Sequence, residues 1–330
     1  MMRYLFAGGG TGGHIFPAIA IADEIKLLDP GAEILFVGAK GRIEEKIVPQ
    51  NNYMLETITI TGFSRAKILN NISLPYKIMR SLIQSESIIR KFKPDVAVGT
   101  GGFVCGPVIL KALRMGVPAL IQEGNSFAGK TIKMLSRKAN KVVINFEETK
   151  NYLKRKDNII RISHPVRSSL KAEDRKKSLI KFGLSESGLT IFIFGGSQGA
   201  RAINDAIINI IPGLYERNMN VIWQTGETDF DRISGMFEDK SDRIKIYKFI
   251  NDMSAAYSAS DLIICRAGIT SIMEIALLEK AAIIIPLPGS AEEHQVKNAL
   301  SLKKLNAAEV IFSAGSRRKI TSGNFENYRR

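Results

Sequence analysis

The sequence predicts an α/β protein of two doubly wound domains facing each other across a cleft, and two observations carry that expectation. Short apolar runs of strand length alternate with stretches of helical periodicity along most of the 330 residues. Two glycine-rich turns, about half a chain apart, each follow such a run and open into a helix-like stretch. They are Gly8-Gly9-Gly10-Thr11-Gly12-Gly13-His14 and Gly195-Gly196-Ser197-Gln198-Gly199-Ala200-Arg201. A strand feeding a glycine turn at a helix start converges backbone N–H groups and the positive helix end on one spot. That arrangement favours phosphate or developing negative charge.

The elements follow in order. Strand-like runs cover residues 4–7, 34–37, 97–98, 119–121 and 142–144, with helix-like segments between most of them. After the first glycine turn, Ile15, Ala18, Ile19, Ala22 and Ile25 recur at helical spacing. The alternation resumes with residues 191–194, 221–223, 244–247, 262–265 and 282–286, and Ile203, Ala206, Ile207 and Ile210 mark the helix after the second turn. Short apolar strands between amphipathic helices suit parallel sheets covered on both faces. The boundary falls near Ile162-Ser163-His164-Pro165-Val166-Arg167, where the proline restricts the residue before it, giving domains of residues 1–162 and 163–330. Beyond Ile311 the chain turns polar and basic with little periodicity, and reads as a mobile tail.

Composition narrows the class. A hydrophobic content of 45% supports a sizeable core. Cys105 and Cys265 are far apart in apolar contexts, so two reduced, buried thiols are expected. The three histidines are scattered and no C-x-x-C pair occurs, so nothing resembles a zinc site. The first strand begins almost at once, leaving no room for a signal peptide, and no apolar run approaches the ~20 residues of a membrane span. A cytosolic protein is expected. Its net charge is +15, of which residues 1–165 carry +11 and the remainder +4. Such a bias suggests an anionic partner, nucleic acid or acidic lipid. The first of these lacks any recognised motif or aromatic stacking pattern, so no nucleic-acid partner is expected.

Several residues invite chemistry. The first turn satisfies G-x-G-x-x-G, but the second strand ends Val37-Gly38-Ala39-Lys40, with no carboxylate to hold a ribose. That argues against a nicotinamide cofactor, although Lys40 or Arg42 would suit a phosphorylated ribose. No Gly-Lys-Ser/Thr closes the turn, so it is not a Walker loop. His14 stands at a helix start, where the dipole opposes an added positive charge; a neutral imidazole there suits a general base. A loop-capping histidine is the alternative reading. In Arg266-Ala267-Gly268-Ile269-Thr270-Ser271-Ile272-Met273-Glu274 another turn opens a helix, and Glu274 could accept both hydroxyls of a ribose or merely compensate the dipole. His294 and Asn298 share one helical face. Asp229-Phe230-Asp231 reads as a solvated helix start rather than a metal–diphosphate pair.

Taken together, these residues resemble the MurG family of bacterial glycosyltransferases, which convert lipid I to lipid II in peptidoglycan synthesis. The resemblance runs from about Met2 to about Ile311. Its most specific pieces are residues 9–17, Gly101-Gly102-Phe103-Val104-Cys105-Gly106-Pro107, residues 195–201, and the stretch from Arg266 to Glu274. It implies a GT-B fold of two Rossmann-like domains, with residues 163–330 holding UDP-GlcNAc and residues 1–162 holding lipid I. It further implies that Ser197 meets the diphosphate, Ile250 holds the uracil through its backbone, and Arg167 flanks the nucleotide. Glu274, within the segment Ile269, Thr270, Ser271, Ile272, Met273 and Glu274, takes the ribose hydroxyls. Gln295, with Asn298 beside it, and Asn125 contact the GlcNAc, and Thr11, Gly12 and Gly13 line the cleft. The implied reaction uses no cofactor and no bound catalytic metal: the MurNAc C4 hydroxyl attacks the anomeric carbon with inversion, His14 takes the proton, and amides near Ser197 stabilise the leaving diphosphate.

The chain departs from the family pattern at four places. It has Gln122-Glu123-Gly124-Asn125 for His-Glu-Gln-Asn, Ser163-His164-Pro165 for Gly-Asn-Pro, and Glu279-Lys280-Ala281 for Gly-x-Pro. It also stops short of the family's last helices. Two further readings stay open: another GT-B transferase with a different lipid acceptor, and a non-catalytic nucleotide-sugar-binding relative.

Residues 62–93 are both basic and apolar. Arg65, Lys67, Lys77 and Arg80 are interleaved with Ile72, Met79 and Leu82, which predicts docking on anionic lipid of the inner leaflet, at the cytoplasmic side of the membrane.

Overall fold

The computed structural model describes residues 1–62, 72–196, 199–290 and 293–312. The chain divides into two units, Met1–Ser168 and Ser169–Arg330. In the first, the order is β1 (Arg3–Gly8), α1 (Gly12–Leu28), β2 (Glu33–Ala39), α2 (Glu44–Gln50), β3 (Met54–Ile58) and α3 (Leu74–Phe92). It continues through β4 (Val96–Gly101), α4 (Gly102–Arg114), β5 (Ala119–Glu123), α5 (Lys130–Leu135), β6 (Lys141–Ile144) and β7 (Ile159–Arg161). The second unit has α6 (Arg175–Lys181), β8 (Thr190–Phe194), α7 (Arg201–Ile208), α8 (Ile211–Glu216), β9 (Asn220–Gln224) and α9 (Phe230–Ser234). Then come β10 (Ile244–Tyr247), α10 (Met253–Ala259), β11 (Leu262–Cys265), α11 (Ile269–Leu277), β12 (Ala281–Ile284), α12 (His294–Lys304) and β13 (Glu309–Val310).

Each unit is built on one parallel sheet. The strand orders are β3-β2-β1-β4-β5-β6-β7 and β10-β9-β8-β11-β12-β13. In both, the chain starts in the middle, winds outward, and returns to the other side of its first strand. The strand order therefore reverses between β1 and β4 in one sheet and between β8 and β11 in the other. Crevices at the carboxyl ends of such strand pairs are where open α/β sheets bind ligands.

Alternation along the strands fills both faces of each sheet. In β1, Leu5 and Ala7 pack with Val104, Val108 and Ile109 of α4, while Phe6 packs with Ile15, Ala18 and Ile19 of α1. Phe6 stacks on Phe36 of β2 with ring centroids 5.0 Å apart. In β8, Ile191 and Ile193 pack with Ile203 and Ile207 of α7, and Phe192 lies edge-on to Tyr257 of α10. The two thiols are free and buried. Burial pushes Cys105 up to about 12, and burial together with the Glu274 charge also raises Cys265.

Three strands beyond those read from the sequence appear, β3, β7 and β13, and all lie at sheet edges. The Asp229 reading needs correction. Asp229 does precede a helix, α9, but it is buried rather than solvated, bonded to Asn204 Nδ2 at 2.9 Å and to Arg232 Nε at 3.1 Å. Burial works to raise its pKa, and these bonds outweigh it and hold the carboxyl below its usual range. The residues beyond Phe312, including the tail, lie outside the described residues.

Candidate functional site

The glycine motifs read from the sequence all lie at the two points where strand order reverses. In the first unit, one glycine turn leaves β1, and Gly101-Gly102 leaves β4 directly into α4. In the second, one turn leaves β8 and Arg266-Ala267-Gly268 leaves β11.

In the first unit, α1 begins at Gly12, with Thr11 extended just before it. Thr11 and Gly13 are exposed and Gly12 and His14 half-buried. His14 Nδ1 lies 3.1 Å from Thr100 O. A carbonyl oxygen only accepts, so in the neutral ring Nδ1 carries the proton and Nε2 keeps its lone pair. Thr100 also donates from Oγ1 to His14 O at 2.7 Å, so one residue fixes both the ring and its backbone. A Cβ on Gly101, whose φ is +102°, would fall 2.8 Å from His14 Nδ1, so only glycine admits the imidazole.

Glu44, which the sequence reading did not single out, shapes the same turn. It is fully buried at the start of α2, and its Oε1 accepts from Gly10 N at 2.9 Å and Ala39 N at 3.3 Å. A Cβ on Gly9 would stand 1.9 Å from that oxygen. The carboxylate thus ties the glycine turn to the end of β2. It also occupies one amide that a phosphate would otherwise meet.

Asn125 follows β5, and Glu123 Oε1 accepts from its backbone and side-chain nitrogens at 3.0 and 2.9 Å. Glu123 Oε2 accepts from Gly129 N, which folds this loop around one buried carboxylate. The guanidinium of Arg167 lies 5.3 Å from the centroid of Phe16, two residues after His14.

Two of the departures from the family pattern meet here. Gln122 Nε2 donates to His164 Nδ1 at 3.0 Å, and His164 is only 4% exposed. Burial, helped by the charge of His14, pushes its imidazole down to about 4. An unfolded chain binds that proton near 6.5. Between about pH 6.5 and 4 the unfolded state holds more protons, so stability rises with pH through that window, by up to about 3 kcal/mol. Thermal unfolding across this range should show that rise, and His164→Gln should flatten it. Equal pH dependence in both proteins would assign the acid sensitivity elsewhere.

In the second unit, Ser197 lies outside the described residues, but Gly196 just before it is held by a side chain from β9. Gln224, the last residue of β9, donates from Nε2 to Gly196 O at 3.0 Å and accepts from Ile250 N at 2.9 Å. One side chain therefore couples the glycine turn to the Ile250 loop, and the Ile250 amide is engaged within the protein. Arg266 is buried and donates to Ile285 O and Pro286 O at 3.2 and 3.3 Å, joining the ends of β11 and β12; burial lowers its pKa.

In α11, Ile269, Ile272 and Glu274 are buried, while Thr270, Ser271 and Met273 are half-buried. Glu274 is 2% exposed, and its Oε2 accepts from Tyr257 Oη at 2.9 Å. Gln295 Oε1 accepts from Leu287 N at 2.9 Å. Asn298 is fully buried and donates to Ala267 O at 3.4 Å, tying α12 to the turn after β11. Among the described residues, no group of three or more His, Cys, Asp and Glu side chains could hold a metal ion.

Arg65 and Lys67 lie outside the described residues. Beyond them Ile72, Met79 and Arg80 are exposed, while Lys77 and Leu82 are half-buried. Tyr76, Met79, Arg80 and Ile83 recur at i, i+3, i+4 and i+7, and the three apolar members are 64–66% exposed. The opposite face, Ser81, Ser85 and Ile89, is buried. Among the described residues, no helix is long and apolar enough to cross a membrane.

Residues 4–144 match the glycosyltransferase family 28 N-terminal domain, and residues 190–321 match its C-terminal domain. The chain is 43% identical over 320 residues to the UDP-N-acetylglucosamine--N-acetylmuramyl-(pentapeptide) pyrophosphoryl-undecaprenol N-acetylglucosamine transferase of Phocaeicola vulgatus, covering 96% of this chain and 85% of that one. The protein of the same name from Parabacteroides distasonis is 43% identical over 319 residues, covering 94% and 84%. Among solved structures, Acinetobacter baumannii MurG superposes with a TM-score of 0.74 at 27% identity, covering 99% of this chain and 92% of that one.

Proposed function

The chain belongs to glycosyltransferase family 28, and from that premise we infer that it transfers GlcNAc from UDP-GlcNAc to the C4 hydroxyl of MurNAc in lipid I, yielding lipid II with inversion. Its fold is GT-B, two Rossmann-like domains. The observation that carries the reading to particular residues is the clustering of all four glycine motifs at the two strand-order reversals.

Residues 1–162 take lipid I, and residues 163–330 take UDP-GlcNAc. His14 Nε2 removes the proton from the C4 hydroxyl as that oxygen attacks the anomeric carbon from the face opposite UDP. The bond to UDP breaks, and the diphosphate gains charge that the Ser197 turn and the start of α7 stabilise. Thr11, Gly12 and Gly13 present the acceptor to that histidine. The Ile250 carbonyl is the backbone group for uracil N3–H, since its amide already donates to Gln224. Glu274, within residues 269–274, takes the ribose hydroxyls, Arg167 flanks the nucleotide, and Asn125 and Gln295 address the GlcNAc hydroxyls. Asn298 serves this site through the turn it holds.

The first unit also docks on anionic lipid at the cytoplasmic face, where a lipid-anchored acceptor resides. Support comes from the exposed apolar face of α3 and its basic neighbours.

Radiolabel transfer from UDP-GlcNAc to a short-chain lipid I analogue tests the activity. Transfer from UDP-GlcNAc, with much weaker transfer from UDP-GalNAc or UDP-glucose, is the expected result. Nucleotide-sugar binding without transfer would leave the non-catalytic relative as the better description.

A further inference from the structure

Glu274 and Tyr257 form a buried pair whose placement goes beyond packing. Tyr257 is 0% exposed in α10, and its ring stands edge-on to Phe192 and Phe194 of β8 at 5.6 and 6.1 Å. Phe194 is the last residue of β8, so the Tyr257 ring packs against the end of the strand that feeds the second glycine turn. Its hydroxyl donates to Glu274 Oε2 at 2.9 Å.

A carboxylate taken almost wholly out of water is costly, and a hydrogen bond from a phenol does not by itself make it a net source of stability. An aromatic ring at 257 with an apolar side chain at 274 would fill the same space. The arrangement does, however, hold a carboxylate in one orientation. Tyr257 has only two side-chain torsions, and the ring contacts with Phe192 and Phe194 restrict both.

We propose that Tyr257 is a positioning residue for the nucleotide: its hydroxyl fixes the plane of the Glu274 carboxylate so that the two ribose hydroxyls are recognised together. The proposal rests on the reading of Glu274 as the ribose acceptor. Tyr257 is fully buried, so its role is to act through that carboxylate.

The test uses UDP and its 2′,3′-dideoxy analogue, with affinities measured by calorimetry on the whole chain. Wild type should prefer UDP. Tyr257→Phe should weaken UDP by roughly three- to tenfold, less than the loss of a charged hydrogen bond made to the ligand itself, and leave the dideoxy analogue nearly unchanged. Glu274→Ala should remove the preference altogether. In the Glu274→Ala background, adding Tyr257→Phe should change UDP affinity no further. That double variant removes both members of the pair, so it also serves if Tyr257→Phe alone destabilises the protein.

The failures are distinguishable. If Glu274→Ala keeps the preference for UDP, the ribose reading of Glu274 falls and the proposal with it. If Glu274→Ala abolishes the preference but Tyr257→Phe does not reduce it, the ribose reading stands and the positioning role is overturned. Equal weakening of both nucleotides by Tyr257→Phe, or a further loss in the double variant, would mean that Tyr257 acts through packing.

Discussion

Replacing His14 with alanine is expected to lower the turnover of GlcNAc transfer by roughly two to four orders of magnitude while leaving UDP-GlcNAc affinity nearly unchanged. The expectation follows from the ring's tautomer. Thr100 O can only accept, so Nδ1 donates and Nε2 keeps the lone pair that a base needs. The ring is also packed closely against Gly101, where no Cβ stands in its way, and its residue is anchored through the backbone carbonyl by Thr100 Oγ1, so little reorganisation is required at the moment of attack. Single-turnover transfer and donor calorimetry on the same variant separate the two roles. His14→Gln sharpens the comparison, because its amide can donate to Thr100 O yet cannot take a proton. Both variants should be slow. If glutamine restores turnover, or if alanine abolishes donor binding and spares the rate at saturation, His14 is a structural residue of the turn.

What was legible in the sequence follows burial. The interior strands β1, β4, β8 and β11 are covered on both faces, so their central residues are apolar and stand out as short runs. At the edges the signal fades. β3 alternates exposed and half-buried positions along Met54-Leu55-Glu56-Thr57, while β7 and β13 have only three and two residues. Each pairs with one neighbour, so the composition of each is set as much by solvent as by the sheet.

The site divides in the same way. Its glycine turns are local, because backbone conformation and close approach must be encoded by adjacent residues, and those were readable. The side chains that hold the turns arrive from far along the chain. Glu44 reaches Gly10, Thr100 reaches His14, Gln224 joins Gly196 to Ile250, and Tyr257 reaches Glu274. No spacing rule links such pairs, so only the fold reveals them. Burial of an acidic residue is equally invisible to a residue-by-residue reading. Asp229 and Glu44 look like solvated charges until the packing around them is known.

Exchanging Met79 for Ser, Arg80 for Glu and Ile83 for Ser is expected to reduce binding to anionic vesicles by roughly a hundredfold or more, sparing UDP-GlcNAc affinity. Each basic residue near an anionic surface contributes about 1 kcal/mol, here reversed in sign at position 80. Each apolar side chain moved from water into the lipid interface adds on the order of 1 kcal/mol. These three positions fit the test better than Lys77 and Leu82. Leu82 is half-buried, so replacing it would disturb packing, and Lys77 Nζ is 3.5 Å from Thr61 Oγ1. Co-sedimentation should rise with the phosphatidylglycerol content of phosphatidylcholine vesicles and fall with salt, as a charge-dependent contact requires. Leu27 and Leu28, at the end of α1, are 74% and 78% exposed and provide the control. Their replacement by serine should leave vesicle binding intact if docking belongs to the α3 face, and weaken it if any exposed apolar patch suffices. Undiminished binding by the α3 variant would remove this helix as the docking surface.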